Sequence, residues 1–381
     1  MSGTTIRSLA VLCALSIPCW AQTGSGAVKP EARNEAAYAA LTKQAEAARE
    51  ADKVEGAIRL YKQLVAMRPA SAENWWYLGT LYYEADQYTE GRAAFHRLTS
   101  LKPEMSLAWA MLGLCEFEIK DYDAALVHLR RANELKIPDK QSFYEVAKYH
   151  LALLLIRHAD FELASQVIRE FVGRGADSLQ FKEAMGLVAL RKPLLPIEIP
   201  PTEREMVLDA GTAVCDSLAR RVDRLPGDAS ELLSKYSTVP EVHYIVGSMF
   251  LNSDPDKALD EWKQELKIVP GNVRALVSIA GEYLKRSDFE TAKTFAEQAV
   301  SSNPDHFASH AVLGQVLTDG SLDIPRGITE LETAEHMAPW QPEIRFTLAK
   351  AYAKVGRKGD AAKERAEFLK LTGNGSVAKS N

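Results

Sequence analysis

The sequence predicts an all-α chain built as an α-solenoid of stacked helix–turn–helix units. Three observations lead there: a proline repeated at nearly constant spacing, a large-small residue pair repeated in step with it, and a composition poor in turn formers. Pro69, Pro103 and Pro138 are 34 and 35 residues apart, and so are Pro270, Pro304 and Pro339. Leu78-Gly79, Leu112-Gly113, Leu313-Gly314 and Leu348-Ala349 carry the second marker, which Ala45, Ala152, Gly186, Gly211, Gly247 and Ala280 continue. Successive small residues lie 34, 34, 39, 34, 25, 36, 33, 34 and 35 apart. Two independent markers with one period mean a repeat architecture. Of 381 residues only 22 are Gly and 17 Pro, which suits a largely helical chain.

Within one unit the apolar spacing is helical. Trp75, Gly79 and Tyr82 fall at i, i+4 and i+7. A break at Ala85-Asp86-Gln87 follows, and then Gly91, Phe95 and Leu98 mark a second helix. Pro103 closes the unit, because proline lacks the helical donor and disfavours helix in the residue before it. A pair this short buries too little apolar surface to offset backbone ordering of about 1–2 kcal/mol per residue, so it must stack on its neighbours.

This pattern resembles the tetratricopeptide repeat family, whose 34-residue unit carries an aromatic, a Leu-Gly pair, a Tyr, an Ala, a second aromatic and a closing Pro. The next unit keeps Trp109, Leu112, Gly113, Ala125 and Ala132, with Glu116 in place of the aromatic. Val273 to Pro304 keeps Ile279-Ala280, Tyr283, Ala292 and Ala299; the following units keep Leu313-Gly314, Ala334, Leu348-Ala349, Tyr352 and Ala361. The resemblance covers about residues 37 to 371. It implies a right-handed α-solenoid of about nine to ten units and, with the leader described next, is similar to exported bacterial proteins of this family.

Residues 1–21 read as a secretory signal peptide: Arg7, an apolar run from Leu9 to Ile17, Pro18, and a small-x-small exit at Cys19-Trp20-Ala21. That run is too short to span about 30 Å of hydrocarbon, so no stable membrane insertion is expected after its removal, and the mature chain is expected in the periplasm or outside the cell. Residues 22–36 read as a flexible linker, 37–191 as an N-terminal array, 192–202 as a proline-rich joint or a surface loop, 203–372 as a C-terminal array with a capping helix near Asp360 to Leu371, and 373–381 as a disordered tail. Pro193, Pro196, Pro200 and Pro201 carry the joint. Cys115 and Cys215, the cysteines left after cleavage, read as buried hydrophobes rather than a disulfide.

Net charge is −5, or −6 without Arg7, which argues against nucleic acid as partner. No cofactor motif, HExxH or nucleotide loop is present; Gly24-Ser25-Gly26 and Gly173-Arg174-Gly175 lack the flanking pattern. His306 and His310 have a metal-compatible spacing but no third ligand, and His310 occupies the slot of Trp75 and Trp109, so no metal site is assigned. The expectation is a non-enzymatic scaffold binding a protein or peptide of unknown identity. The resemblance places its groove on first-helix residues one step past the core face: Trp76, Thr80 and Tyr83; Ala110, Leu114 and Phe117; Tyr149, Leu153 and Ile156. The alternative for each is burial between helices. In family members that clamp a terminal carboxylate, Lys, Asn and Arg stand there; these places are mostly apolar, which favours an apolar or aromatic segment. Two other readings stand beside this one: an envelope assembly subunit that self-associates by stacking, and a metal-dependent hydrolase built near His306 and His310.

Overall fold

The computed structural model describes residues 30–138, 143–172 and 178–377, of which 30–32 and 374–377 only as backbone. The expected leader, residues 22–29 of the expected linker, and residues 378–381 lie outside the described residues. Everything described is helix and turn. The chain divides into two compact units: one runs to Arg174 and includes Pro193–Glu198, and the other comprises Gly175–Lys192 and everything from Ile199. The division falls before the proline-rich stretch, part of which packs with the first unit.

The first unit holds α1 (Pro30–Glu50), α2 (Val54–Met67), α3 (Ala72–Glu84), α4 (Tyr88–Leu101), α5 (Ser106–Glu118), α6 (Tyr122–Glu134), α7 (Phe143–Arg157) and α8 (Phe161–Val172). They pack as four consecutive pairs, each against the next. Helix α1 begins inside the segment expected to be linker. In α3 and α4 the apolar stripe is as spaced in the sequence: Leu78, Leu81, Tyr82, Phe95 and Leu98 are buried. A Cβ on Gly79 would lie 2.7 Å from the Phe95 ring, so the missing side chain is what lets this pair close. Glu116, the family mismatch in α5, is buried too; its carboxylate meets His128 Nδ1 at 2.6 Å, which satisfies a charge the core could not otherwise hold.

The second unit holds α9 (Leu179–Ala189), α10 (Arg204–Leu218), α11 (Leu225–Tyr236), α12 (Val242–Phe250), α13 (Pro255–Ile268), α14 (Val273–Lys285), α15 (Phe289–Ser302), α16 (Phe307–Asp319), α17 (Ile324–Met337), α18 (Pro342–Lys354) and α19 (Lys358–Val377). Helix α19 continues past Leu371, through the start of the expected tail. The short 25-residue interval has a physical cause. Helix α10 is the partner of α9 rather than the first helix of a new pair. A Cβ on Gly186 would fall 1.8 Å from the Val207 carbonyl oxygen, and one on Gly211 1.8 Å from that of Lys182. The two glycines therefore face each other's helix within one pair, and the prolines only lengthen the turn between them. Helix α11 packs on α10 and α12 without a partner of its own; the other helices make nine pairs among the described residues.

Two backbone devices recur. Most first helices of a pair end on a left-handed residue, such as Asp86 (φ 56°), Lys120 (φ 64°), Ser287 (φ 61°) and Ser321 (φ 53°). The next N–H reaches back to close the helix end, as Gln87 N to Tyr82 O at 2.8 Å and Asp288 N to Tyr283 O at 3.0 Å. Between pairs, a ring nitrogen serves the carbonyl six residues earlier. Trp75 Nε1 donates to Pro69 O at 2.9 Å and Trp109 Nε1 to Pro103 O at 2.8 Å; His310 Nε2 lies 2.8 Å from Pro304 O and His243 Nε2 2.9 Å from Ser237 O. Among the described residues no helix is long and apolar enough to cross a membrane.

Candidate functional site

The expected groove residues do not form one open surface. Leu114 is 1% exposed and Leu153 5%, and Ala110 and Ile156 are fully covered. Helices α5 and α7 are apolar nearly all round, and such helices are enclosed by their neighbours. The larger residues are half-buried, each against a ring of its own unit. Trp76 meets Phe95 edge-on at 5.9 Å, Tyr83 meets Tyr88 at 5.3 Å, and Phe117 lies 5.3 Å from Tyr122 and 4.5 Å from His150. Tyr149 lies 5.7 Å from His150, and Thr80 Oγ1 donates to Tyr77 O at 3.0 Å. Burial pushes the Tyr83 hydroxyl well above its ordinary pKa, as expected of a packed phenol.

The open space lies one pair earlier. A cavity of about 590 Å³ separates α1 from α3 and is floored by the end of α2 and its turn. Tyr38, Thr42 and Glu46 line it from one face of α1, at i, i+4 and i+8. Asn74 and Tyr77 face it from α3, Tyr61 from α2, and Arg68 to Glu73 from the turn and the start of α3. Ser71 caps α3 by accepting from Asn74 N. Asn74 Nδ2 donates to Tyr38 Oη at 2.7 Å, fixing both side chains across the gap. The Tyr61 and Tyr77 rings stand 5.5 Å apart. Arg68 lies 3.7 Å over the Tyr38 ring and pairs with Glu35; Arg49 lies 3.9 Å over the Tyr77 ring. Tyr61 is 1% exposed, and its hydroxyl has no hydrogen-bond partner. Burial drives its pKa far up, Arg49 opposes this, and the nearby Glu46 and Glu73 add to it. The expected groove begins one unit later, at Trp76, and so omitted this site. The signal was present in Thr42 and Glu46, which stand one 34-residue period ahead of the expected groove residues Trp76 and Thr80, with Tyr38 on the same face.

A smaller cavity of about 260 Å³ lies in the second unit between α16 and α18, lined by Phe307, Ala311, Gln315, Ile344 and Thr347 among others. The histidine pair nearby is engaged separately. His310 Nδ1 meets Glu330 at 2.6 Å, while His306 Nδ1 meets Ser309 Oγ at 3.0 Å. Among the described residues no three His, Cys, Asp or Glu side chains gather as a metal site would require. Cys115 and Cys215 are buried and not joined in a disulfide, and burial pushes the Cys115 thiol up to about 12, which leaves little thiolate for nucleophilic chemistry.

Comparison with known proteins agrees with the repeat. Residues 42–95 and 78–136 match one tetratricopeptide repeat model, and residues 273–306 match another. No curated protein matches the chain. Among solved structures, "MamA 41-end from Desulfovibrio magneticus RS-1" is 20% identical, covering 44% of this chain and 96% of its own, with a TM-score of 0.37. "MamA RS-1 ArsTM double mutant" is 19% identical, covering 44% and 97%, at 0.38. "Crystal structure of MamA" is 14% identical, covering 46% and 95%, at 0.35. Overlays this loose are local likenesses and carry no argument. The repeat markers, the helix pairs they form and the matched segments agree: the chain carries tetratricopeptide repeats over residues 42–136 and 273–306.

Proposed function

We propose that this scaffold is non-enzymatic and binds an extended protein segment in the α1–α3 cleft of the first unit. One observation carries the reading: a cavity of about 590 Å³ lies between consecutive first helices and is lined by fixed aromatic and polar side chains. Its volume is in the range of about 300–1,000 Å³ usual for ligand sites. The rings of Tyr38 and Tyr77 supply contact area at low entropic cost, and Asn74 and Thr42 supply polar contacts. The leader expected at residues 1–21 would place this work in the periplasm or outside the cell, which N-terminal sequencing of the mature protein checks. Affinity purification from the native envelope is the direct test. Tyr38→Ala with Tyr77→Ala should lose the partners that the wild-type chain recovers, and Trp76→Ala with Tyr83→Ala should affect recovery less. Equal recovery by the first variant and the wild type would refute the cleft.

A second reading, self-association, is favoured by the last pair of the second unit. Trp340 is 62% exposed and Phe346 51%, and Phe346 lies 5.6 Å from Phe368 beside exposed Leu369. Light scattering that grows with concentration in the wild type, and not in Trp340→Ser plus Phe346→Ser, would support it.

A further inference from the structure

We propose that the side chain seated in the α1–α3 cleft is basic, a lysine or arginine of the bound segment. The inference rests on the reading of this cleft as the peptide site and adds the chemistry of its occupant. Three charged side chains line the cavity: Glu46, Arg68 and Glu73. Arg68 is neutralised by Glu35. Glu46 and Glu73 make no ion pair or hydrogen bond among the described residues. The neighbouring Arg49 feels Glu46 at a distance, but its guanidinium is placed over Tyr77. The cleft thus keeps two carboxylates without a bonded counter-ion.

The second, independent observation is Tyr61. Its phenol is almost wholly buried at the cavity floor, its oxygen lacks a donor, and both carboxylates lie close enough to raise its pKa. A buried polar group is ordinarily satisfied; a phenol can donate or accept, and with Glu46 and Glu73 beside it the complementary partner is a donor carried by a cation. The rings show that cations are accepted: Arg68 and Arg49 each sit less than 4 Å from a tyrosine centroid in this cleft. An anionic occupant fits poorly. Of the lining groups, Arg68 is taken by Glu35 and Asn74 Nδ2 by Tyr38 Oη, and Glu46 and Glu73 would repel it; Arg49, whose Nη1 has no partner, stands over the Tyr77 ring and is not part of the lining.

The test uses the full chain and a phage-displayed library of random dodecapeptides, with selected sequences then synthesised and bound by fluorescence anisotropy. The expected peptides share a Lys or Arg. Replacing it by norleucine or citrulline should weaken binding about tenfold, as loss of a charge-assisted hydrogen bond does. Glu46→Gln with Glu73→Gln should abolish that discrimination while melting like the wild type, and Tyr61→Phe should reduce it. Peptides that lose binding in Tyr38→Ala plus Tyr77→Ala but carry no basic residue, or depend on an acidic residue or a free C-terminal carboxylate, would overturn the basic occupant and leave the cleft standing. If no peptide is selected, or none responds to the tyrosine substitutions, the cleft itself is refuted and the occupant with it.

Discussion

The two units meet the same backbone requirement with different chemistry. At two places in each unit a ring nitrogen of a first helix meets a carbonyl left by the preceding turn, six residues back. In the first unit Trp75 and Trp109 do so; in the second His243 and His310 do. The indole offers one N–H and a broad apolar face, and Trp109 uses that face against His128 at 5.4 Å. The imidazole is smaller and has a second nitrogen, which meets a second-helix carboxylate at 2.6 Å: Glu261 for His243 and Glu330 for His310. The contrast extends beyond the slot. The first unit packs ring on ring, while the second caps its helices with Asp254, Asn272, Asp288 and Asp323 and buries Glu265 under the backbone N–H of Glu241 and the amide of Asn272. A slot in this fold is thus defined by a donor at fixed reach, and the rest of the ring is free to serve its own neighbourhood.

Substitution at the slot should separate the two chemistries. Trp109→Ala removes a hydrogen bond and a large half-buried face, and should cost about 2–3 kcal/mol, read by urea titration and by faster amide exchange in α5 and α6. His310→Ala loses less apolar area but strands Glu330, so about 1–2 kcal/mol is expected, with exchange rising in α16 and α17. If the two costs reverse, apolar area is not what distinguishes the units.

Acidification should weaken the first unit through His150. Burial lowers its pKa, only partly opposed by the Val146 carbonyl 2.7 Å from Nδ1. The unfolded chain therefore binds the proton first. Stability should fall as pH drops below about 6.5, at no more than about 1.4 kcal/mol per pH unit, and level off below the folded value. Melts of the wild type and His150→Gln between pH 7 and 5 check this: the variant should be the flatter. The smallest effect concerns what the units share. Lys120 and Ser287 both hold positive φ, so Lys120→Gly and Ser287→Gly should each stabilise by about 0.5–1 kcal/mol. Unequal gains in chemical denaturation would show that the turns differ beyond their backbone.

Much of this was legible in the sequence, and the misses have physical causes. The prolines and the large-small pairs located the helix pairs because they report close contact and helix ends, which are local constraints. His310 was placed in the slot of Trp75 and Trp109 by spacing alone, and the structure gives it the same hydrogen bond. Gly211 misled because a close approach within a pair can demand a missing Cβ on the second helix as well as on the first, so a small residue does not by itself mark a first helix. Leu114 and Leu153 misled because a residue one step past the core stripe is exposed only if the next helix leaves it uncovered, and α5 and α7 are too apolar for that. The cleft was missed because its residues span α1, α2 and α3, and no single periodic stretch contains them.

The bond from each ring to the carbonyl six positions behind it acts as a ruler. Lengthening or shortening the chain by one residue between Pro103 and Trp109, or between Pro304 and His310, would swing the ring off its target by about 100° and strand the oxygen. An array ruled this way tolerates added or deleted length only in whole repeats, or where no ring keeps the measure, as between α9 and α10.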